Sequence, residues 1–251
     1  MGDSWCAVDG VVTPLADARI PVDDPAFLTG WAVFDTLEVG TGHDRTGKHL
    51  ERLARSAAAA EIAMPDPAVV EAEIDALAAR LGGAARVRVT LTGGGRRVVT
   101  ATPVDASRRH GPVRAVRGSY RAEPFLGGDV KHTSRAPWVV AVRRSGADEV
   151  LLVDEDGRFT EGTTCGIVAI VAGELWTAAH DGRILESTSV SSVLDRADRL
   201  GIRVHHQGPL AAGPWDGLYI CSTTRDIAPV VELDGGPLAA WDPVGRRLAG
   251  L

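Results

Sequence analysis

Lys131, in D-V-K-H-T-S, and Glu161, in F-T-E-G-T-T-C-G, are the two residues whose type and setting most suggest chemistry. The chain has 27 lysines and arginines, of which only Lys48 and Lys131 are lysines. Arginine serves wherever a fixed positive charge is enough. It cannot replace a primary amine that must lose its proton and form an imine. Lys131 reads either as such an amine or as a solvated cation just before a helix. The second is a poor match to the positive end of a helix dipole. Glu161 reads either as an exposed hairpin acid or as a carboxylate that pairs with a protonated ring nitrogen.

An imine-forming lysine and a ring-pairing carboxylate would together suit a pyridoxal 5′-phosphate (PLP) enzyme, and such an enzyme also needs a phosphate cradle. Three segments offer one. Ser187, Thr188 and Ser189 stand at the start of a helical pattern, where hydroxyls and open N–H groups coincide with the helix N-terminus. Ser222, Thr223 and Thr224 follow a strand pattern, and Arg52 in H-L-E-R-L offers a two-pronged grip. Caps and turns are the plain alternatives for each. No Walker A sequence, no G-x-G-x-x-G opening a helix, no G-x-S-x-G and no H-E-x-x-H occurs.

The composition bounds the rest. With 251 residues, 45% hydrophobic and 24% charged, the chain can bury the core of one large or two modest domains. A net charge of −6 without a basic run argues against nucleic acid or an anionic membrane as partner. Cys6, Cys165 and Cys221 are too few and too scattered for a disulfide frame or a zinc site, so no metal is expected. No apolar run reaches spanning length and no signal-peptide pattern opens the chain, which points to the cytoplasm.

Two segments of strand and helix patterns must position these residues. The first holds a hairpin turning at Asp9-Gly10, a strand in G-W-A-V-F-D-T-L-E-V, and a helix in H-L-E-R-L-A-R-S-A. A second helix follows, capped by Asp66 with Pro67 at its first position and stopped at Gly82-Gly83. Strands follow in A-R-V-R-V-T-L-T, R-R-V-V-T-A-T and G-P-V-R-A-V-R-G. The second segment opens with a helix over about 134–145 and continues through hairpins turning at 154–157 and Gly173, a helix ended by Gly201, and paired strands around S-T-T-R-D. Hairpins outnumber βαβ crossovers, so the expected class is α/β of the α+β type with mixed sheets. The expected domains are 1–115 and 127–251, joined by a linker over 116–126 where the pattern lapses.

In order along the chain, these segments resemble the class IV aminotransferases, the fold-type IV PLP enzymes. D-D-P-A-F-L-T-G-W-A-V-F-D-T-L-E-V is similar to the family's D-R-G-F-x-x-G-D-G-V-F-E-T, and H-L-E-R-L-A-R-S-A to H-x-x-R-L-x-x-S-A. The stretch from Gly146 to Ile170 resembles G-A-D-E-A-L-L-L-D-x-x-G-x-V-T-E-G-T-S-S-N-I-F, and S-T-T-R-D-I-A-P-V-V-E-L-D-G resembles S-T-T-x-E-I-x-P-V-x-x-I-D-G. The resemblance implies a two-domain enzyme with PLP between the domains, acting as a homodimer. It makes Lys131 the imine lysine and Glu161 the pyridinium partner, and gives the phosphate to Arg52, Thr188, Ser189, Thr223 and Thr224. Phe34, Trp31, Arg135 and either Arg96 or Arg97 would meet the substrate, with Arg97 the better aligned to a carboxylate-binding arginine. Trp31 replaces an acid of the family pattern, and Lys131-His132-Thr133-Ser134-Arg135 lacks the usual K-x-x-N. The implied reaction is transfer of an amino group from a D-amino acid or (R)-amine to a 2-keto acid. The alternative is aminodeoxychorismate lyase, which eliminates pyruvate from the same imine.

Overall fold

The computed structural model describes residues 4–42, 45–122 and 126–251. They divide into two compact units, one of residues up to 105 together with 129–135, the other of residues 106–128 and 136–251.

The first unit contains β1 (Trp5–Val8), β2 (Val11–Pro14), α1 (Pro25–Leu28), β3 (Ala32–Val39), α2 (Thr46–Ala59), α3 (Pro67–Arg80), β4 (Ala85–Thr92) and β5 (Arg97–Thr102). Its sheet runs β2-β1-β5-β4-β3 and is antiparallel throughout. Asp9 and Gly10 both have positive φ, the two-residue turn that suits a tight hairpin. Asp66 caps α3 through its side chain, accepting from the Ala68 N–H at 2.9 Å, with Pro67 in the first turn. The period-two alternation of β4 sorts its residues onto two faces. Ala85, Val87, Val89 and Leu91 are buried, and α2 and α3 supply Leu50, Leu53, Val70, Ile74 and Leu77 to the same core. Arg86, Arg88 and Thr90 lie on the other face. The pairings Asp35↔Val89 and Thr36↔Arg88 put Asp35 on the apolar face and Thr36 beside the arginines.

The second unit contains β6 (Val113–Ser119), α4 (Ala136–Ser145), β7 (Glu149–Val153), β8 (Phe159–Gly162), β9 (Gly166–Val171), β10 (Glu174–Trp176), α5 (Thr188–Arg199), β11 (Val204–His205), β12 (Gly217–Ser222), β13 (Asp226–Leu233) and α6 (Pro243–Ala249). The strand order is β11-β10-β9-β12-β13-β6-β7-β8, and β8 pairs again with β9, so part of the sheet closes into a barrel. The β13–β6 and β6–β7 pairings are parallel, while β12–β13 and β12–β9 are antiparallel, which makes the sheet mixed. Alternation again sorts the core. Ile167, Ala169, Leu218 and Ile220 join one cluster; Val168, Ile170, Tyr219 and Cys221 join a second, under α5 and α6.

The boundaries differ from the expected ones in three places. Residues 106–115, expected in the first domain, belong to the second unit. Residues 116–119 of the expected linker are the end of β6 and pair with β7 in the second unit. Glu123, Pro124 and Phe125 of that linker lie outside the described residues. Residues 129–135, expected at the start of the second domain, belong to the first unit because they run along the free edge of β3. The helix expected from 134 starts at Ala136. All three cysteines are buried thiols. Among the described residues no helix is long and apolar enough to cross a membrane, and no cluster of His, Cys, Asp and Glu could hold a metal.

Candidate active site

In the first unit the backbone fixes Lys131. β3 is the edge strand, and its open N–H and C=O groups are completed by the 131–133 segment. Phe34 N–H donates to the Lys131 carbonyl at 2.9 Å, and Thr133 N–H donates to the Ala32 carbonyl at 2.9 Å. The Lys131 N–H donates to Ser56 Oγ at 3.1 Å, and Thr133 Oγ1 donates to the Gly30 carbonyl at 2.8 Å. Lys131 is thus held from both sides, and its half-buried side chain places Nζ 5.0 Å from the centroid of the Phe34 ring.

Arg52 is 5% exposed and bound two-pronged to Asp35, with Nε–Oδ2 and Nη2–Oδ1 both 2.8 Å. His49 Nδ1 lies 2.8 Å from Asp35 Oδ1, and Thr36 N–H donates to the same oxygen at 2.7 Å. Burial alone would raise the Asp35 carboxyl; His49 and Arg52 together outweigh it and hold it far below the usual carboxylate range. A depressed pKa means stability that is fully present above about pH 4 and is lost only as the pH falls toward the folded value.

The Arg88 guanidinium lies over the same Phe34 ring, 3.5 Å from its centroid, and its Nε donates to Thr90 Oγ1 at 3.3 Å. Burial, then repulsion from Arg86 and Arg135, lowers Arg88 to about 10, against a smaller opposing pull from Asp35. The β4 pattern did not signal this stacking, since Arg88 is one of the polar positions of an alternating strand.

Arg97, expected to meet a substrate carboxylate, is bound instead to a carboxylate of the protein: Nε and Nη2 each lie 2.6 Å from an oxygen of Glu73. Arg96 donates to Asp9 at 3.2 Å and stands 3.5 Å from Asp24. Trp31 donates from Nε1 to the Ala60 carbonyl at 2.8 Å, and its ring lies flat on Gly93, where a Cβ would come within 2.3 Å of it. Trp31 is therefore anchored to the end of α2 and the β4–β5 turn. Arg135 acts on Arg88 through its charge.

In the second unit Gly166 is the centre of a second constellation. It pairs with Glu161 on β8 and with Cys221 on β12, so Glu161 and the end of β12 flank it on neighbouring strands. A Cβ on Gly166 would come within 2.4 Å of Val190 and 3.2 Å of Ser187, so the N-terminus of α5 rests directly on it. Ser187 caps that helix, accepting from the Val190 N–H at 3.2 Å; Thr188 is buried and Ser189 half-buried in its first turn. Thr223 and Thr224 form the turn after β12. Arg196 of α5 grips Asp226 beyond that turn with two contacts of 2.7 Å. Glu161, Thr188, Ser189, Thr223 and Thr224 are thus gathered at one end of this unit's sheet.

The Glu161 turn has its own support, which the sequence did not announce. Buried Glu149 accepts from the N–H groups of Val150 and Thr163, each at 3.0 Å, and from the hydroxyls of Thr163 and Thr164. Tyr120, also unexpected, donates its hydroxyl to the Arg183 carbonyl. Burial and then the charge of Glu161 raise its pKa.

The donor set fits PLP. A hydroxyl-lined helix N-terminus takes a phosphate, and a carboxylate two strands from the S-T-T turn suits a pyridinium N–H. Residues 32–233 match the family described as amino-transferase class IV. The chain belongs to the class IV aminotransferases. A putative branched-chain-amino-acid aminotransferase of Methanocaldococcus jannaschii is 28% identical over 243 residues, 87% of this chain and 84% of its own length. A D-alanine aminotransferase of Listeria innocua is 24% identical over 246 residues, 89% of this chain and 85% of that one. Among solved structures, a branched-chain aminotransferase of Thermoproteus uzoniensis superposes with a TM-score of 0.88 at 22% identity, over 99% of this chain and 93% of that one. A fold IV transaminase of Curtobacterium pusillum gives 0.87 at 25% identity, over 99% and 98%. The mixed α/β fold is that of fold-type IV aminotransferases, and PLP is the cofactor of class IV aminotransferases.

Proposed function

We propose that this class IV aminotransferase moves an amino group from a D-amino acid or (R)-amine to a 2-keto acid, as a cytoplasmic homodimer. Bound PLP supplies an aldehyde that condenses with amines and a ring that accepts electrons from carbon. Lys131 Nζ would hold and move the substrate α-proton, as base and then acid. Glu161 keeps the ring nitrogen protonated. Arg52, Thr188, Ser189, Thr223 and Thr224 hold the phosphate.

The observation that carries the amino-acid reading is the Arg88–Phe34–Lys131 cluster. Stacking on Phe34 uses the face of the Arg88 guanidinium and Thr90 takes Nε, which leaves the two Nη groups in its plane suited to a carboxylate. A substrate carboxylate would also relieve the repulsion from Arg86 and Arg135. Arg88 therefore takes the role first expected of Arg97. Arg88→Ala should raise KM about tenfold or more for D-amino acids and keto acids alike, and leave (R)-phenylethylamine nearly unaffected. Arg97→Ala should leave those KM values unchanged and cost about 2 kcal/mol of stability, because Glu73 loses a charged partner. If Arg97→Ala raises KM for carboxylate substrates and Arg88→Ala does not, the roles are reversed.

A second reading, transfer from branched-chain L-amino acids, is favoured by the name of the Methanocaldococcus jannaschii relative. Half-reactions of the PLP-loaded protein separate the two. D-Alanine, D-glutamate, (R)-phenylethylamine, L-leucine and L-valine are each mixed with it, and loss of the visible band is followed. Reaction with the D-amino acids supports the first reading; reaction with L-leucine and L-valine alone replaces it with the second. Pyruvate released from aminodeoxychorismate, with no donor accepted, would make the protein a lyase.

A further inference from the structure

We propose that Asp35 is a positioning residue that sets Arg52 for the cofactor phosphate before the cofactor arrives. The inference rests on the reading that Arg52 holds that phosphate.

Asp35 is completely buried on the apolar face of β3, where a carboxylate is costly unless paired. It is satisfied by Arg52 Nε and Nη2, by His49 and by the Thr36 N–H, all within 2.8 Å. Those contacts fix the plane of the guanidinium as well as its position, since two of its nitrogens meet two different oxygens. The same two elements also fix Lys131. Phe34, one residue before Asp35, donates its N–H to the Lys131 carbonyl, and Ser56, one turn after Arg52 on α2, accepts the Lys131 N–H. His49, Arg52 and Ser56 recur at helical spacing on one buried face of α2. The Phe34–Asp35 dipeptide and this face therefore register Arg52 against Lys131, the residues read here as binding opposite ends of one small molecule.

An arginine without such a partner must be immobilised each time an anion binds. Losing the partner should weaken phosphate-dependent binding about tenfold. Pyridoxal has the same ring and aldehyde as PLP and no phosphate, so its affinity should not change. The test is titration of the apo protein with PLP and with pyridoxal, followed by absorbance, for wild type, Asp35→Asn, Asp35→Glu and Arg52→Ala. Asp35→Asn should lose about tenfold in PLP affinity and none for pyridoxal, and Asp35→Glu, which keeps the charge, should restore most of the loss. Adding Asp35→Asn to Arg52→Ala should weaken PLP no further. If Arg52→Ala weakens PLP but Asp35→Asn does not, the positioning role is wrong and the phosphate reading stands. If Arg52→Ala leaves PLP affinity unchanged, the phosphate reading itself fails. Wild-type protein covers the case in which Asp35→Asn does not fold. The Arg52 Nε–H should give a slowly exchanging proton resonance in the apo protein; its appearance only after PLP is added would overturn the preset geometry.

Discussion

Lys131→Ala is expected to abolish amino transfer, by about 10⁴-fold or more, while the protein stays folded. The second half of that expectation comes from the structure. Residue 131 is held through its backbone, by Phe34 N–H on its carbonyl and Ser56 Oγ on its N–H, and alanine keeps both contacts. The side chain places the amine beside the Phe34 ring. The remaining lysine, Lys48, lies near the start of α2 and has no position on the β3 edge from which to substitute. Steady-state turnover with the best donor, beside the thermal midpoint, checks both halves. Near-normal turnover would remove Lys131 from the site; loss of folding would make it structural.

Glu161→Gln is expected to slow the proton-transfer step about a hundredfold, about 3 kcal/mol, with the cofactor still bound. A neutral amide cannot hold the ring nitrogen protonated, so negative charge developing at the substrate carbon is not drawn into the ring. The turn itself should survive, because Glu149 pins Thr163 and Thr164 and the Gly162 N–H donates to the Cys165 carbonyl at 2.8 Å, all independent of the Glu161 side chain. Single-turnover rates at saturating PLP measure the step. An unchanged rate with the cofactor fully loaded would end this role for Glu161.

The sequence made local structure legible where one residue type has one physical use. Asp66 and Pro67 at a helix start, Asp9-Gly10 in a hairpin and Gly201 after α5 all stand where capping and turn chemistry put them. The gathering of T-E-G, S-T-S and S-T-T could be proposed only from the family resemblance. The structure gives its physical basis in Gly166, whose missing side chain lets α5 rest on the strand beside Glu161. Long-range partners were not legible. Arg97 looked available in the turn after β4 because nothing in the sequence shows that Glu73, twenty-four residues earlier, reaches it. Arg88 looked like one polar position of an alternating strand, since its stacking on Phe34 depends on the β3–β4 register. The place of residues 129–135 in the first unit is not legible, because completing a strand edge leaves no mark on local periodicity.

The central claim is that Lys131 is the amine to which PLP bonds. Borohydride reduction of the PLP-loaded protein makes that bond permanent, and peptide mass mapping then finds the modified residue. With only Lys48 and Lys131 in the chain, the result is nearly binary. The account predicts one phosphopyridoxyl group per chain, on Lys131, and loss of the label when an amino donor is added before reduction. Label on Lys48 alone, or none on a protein that has bound PLP, would contradict it.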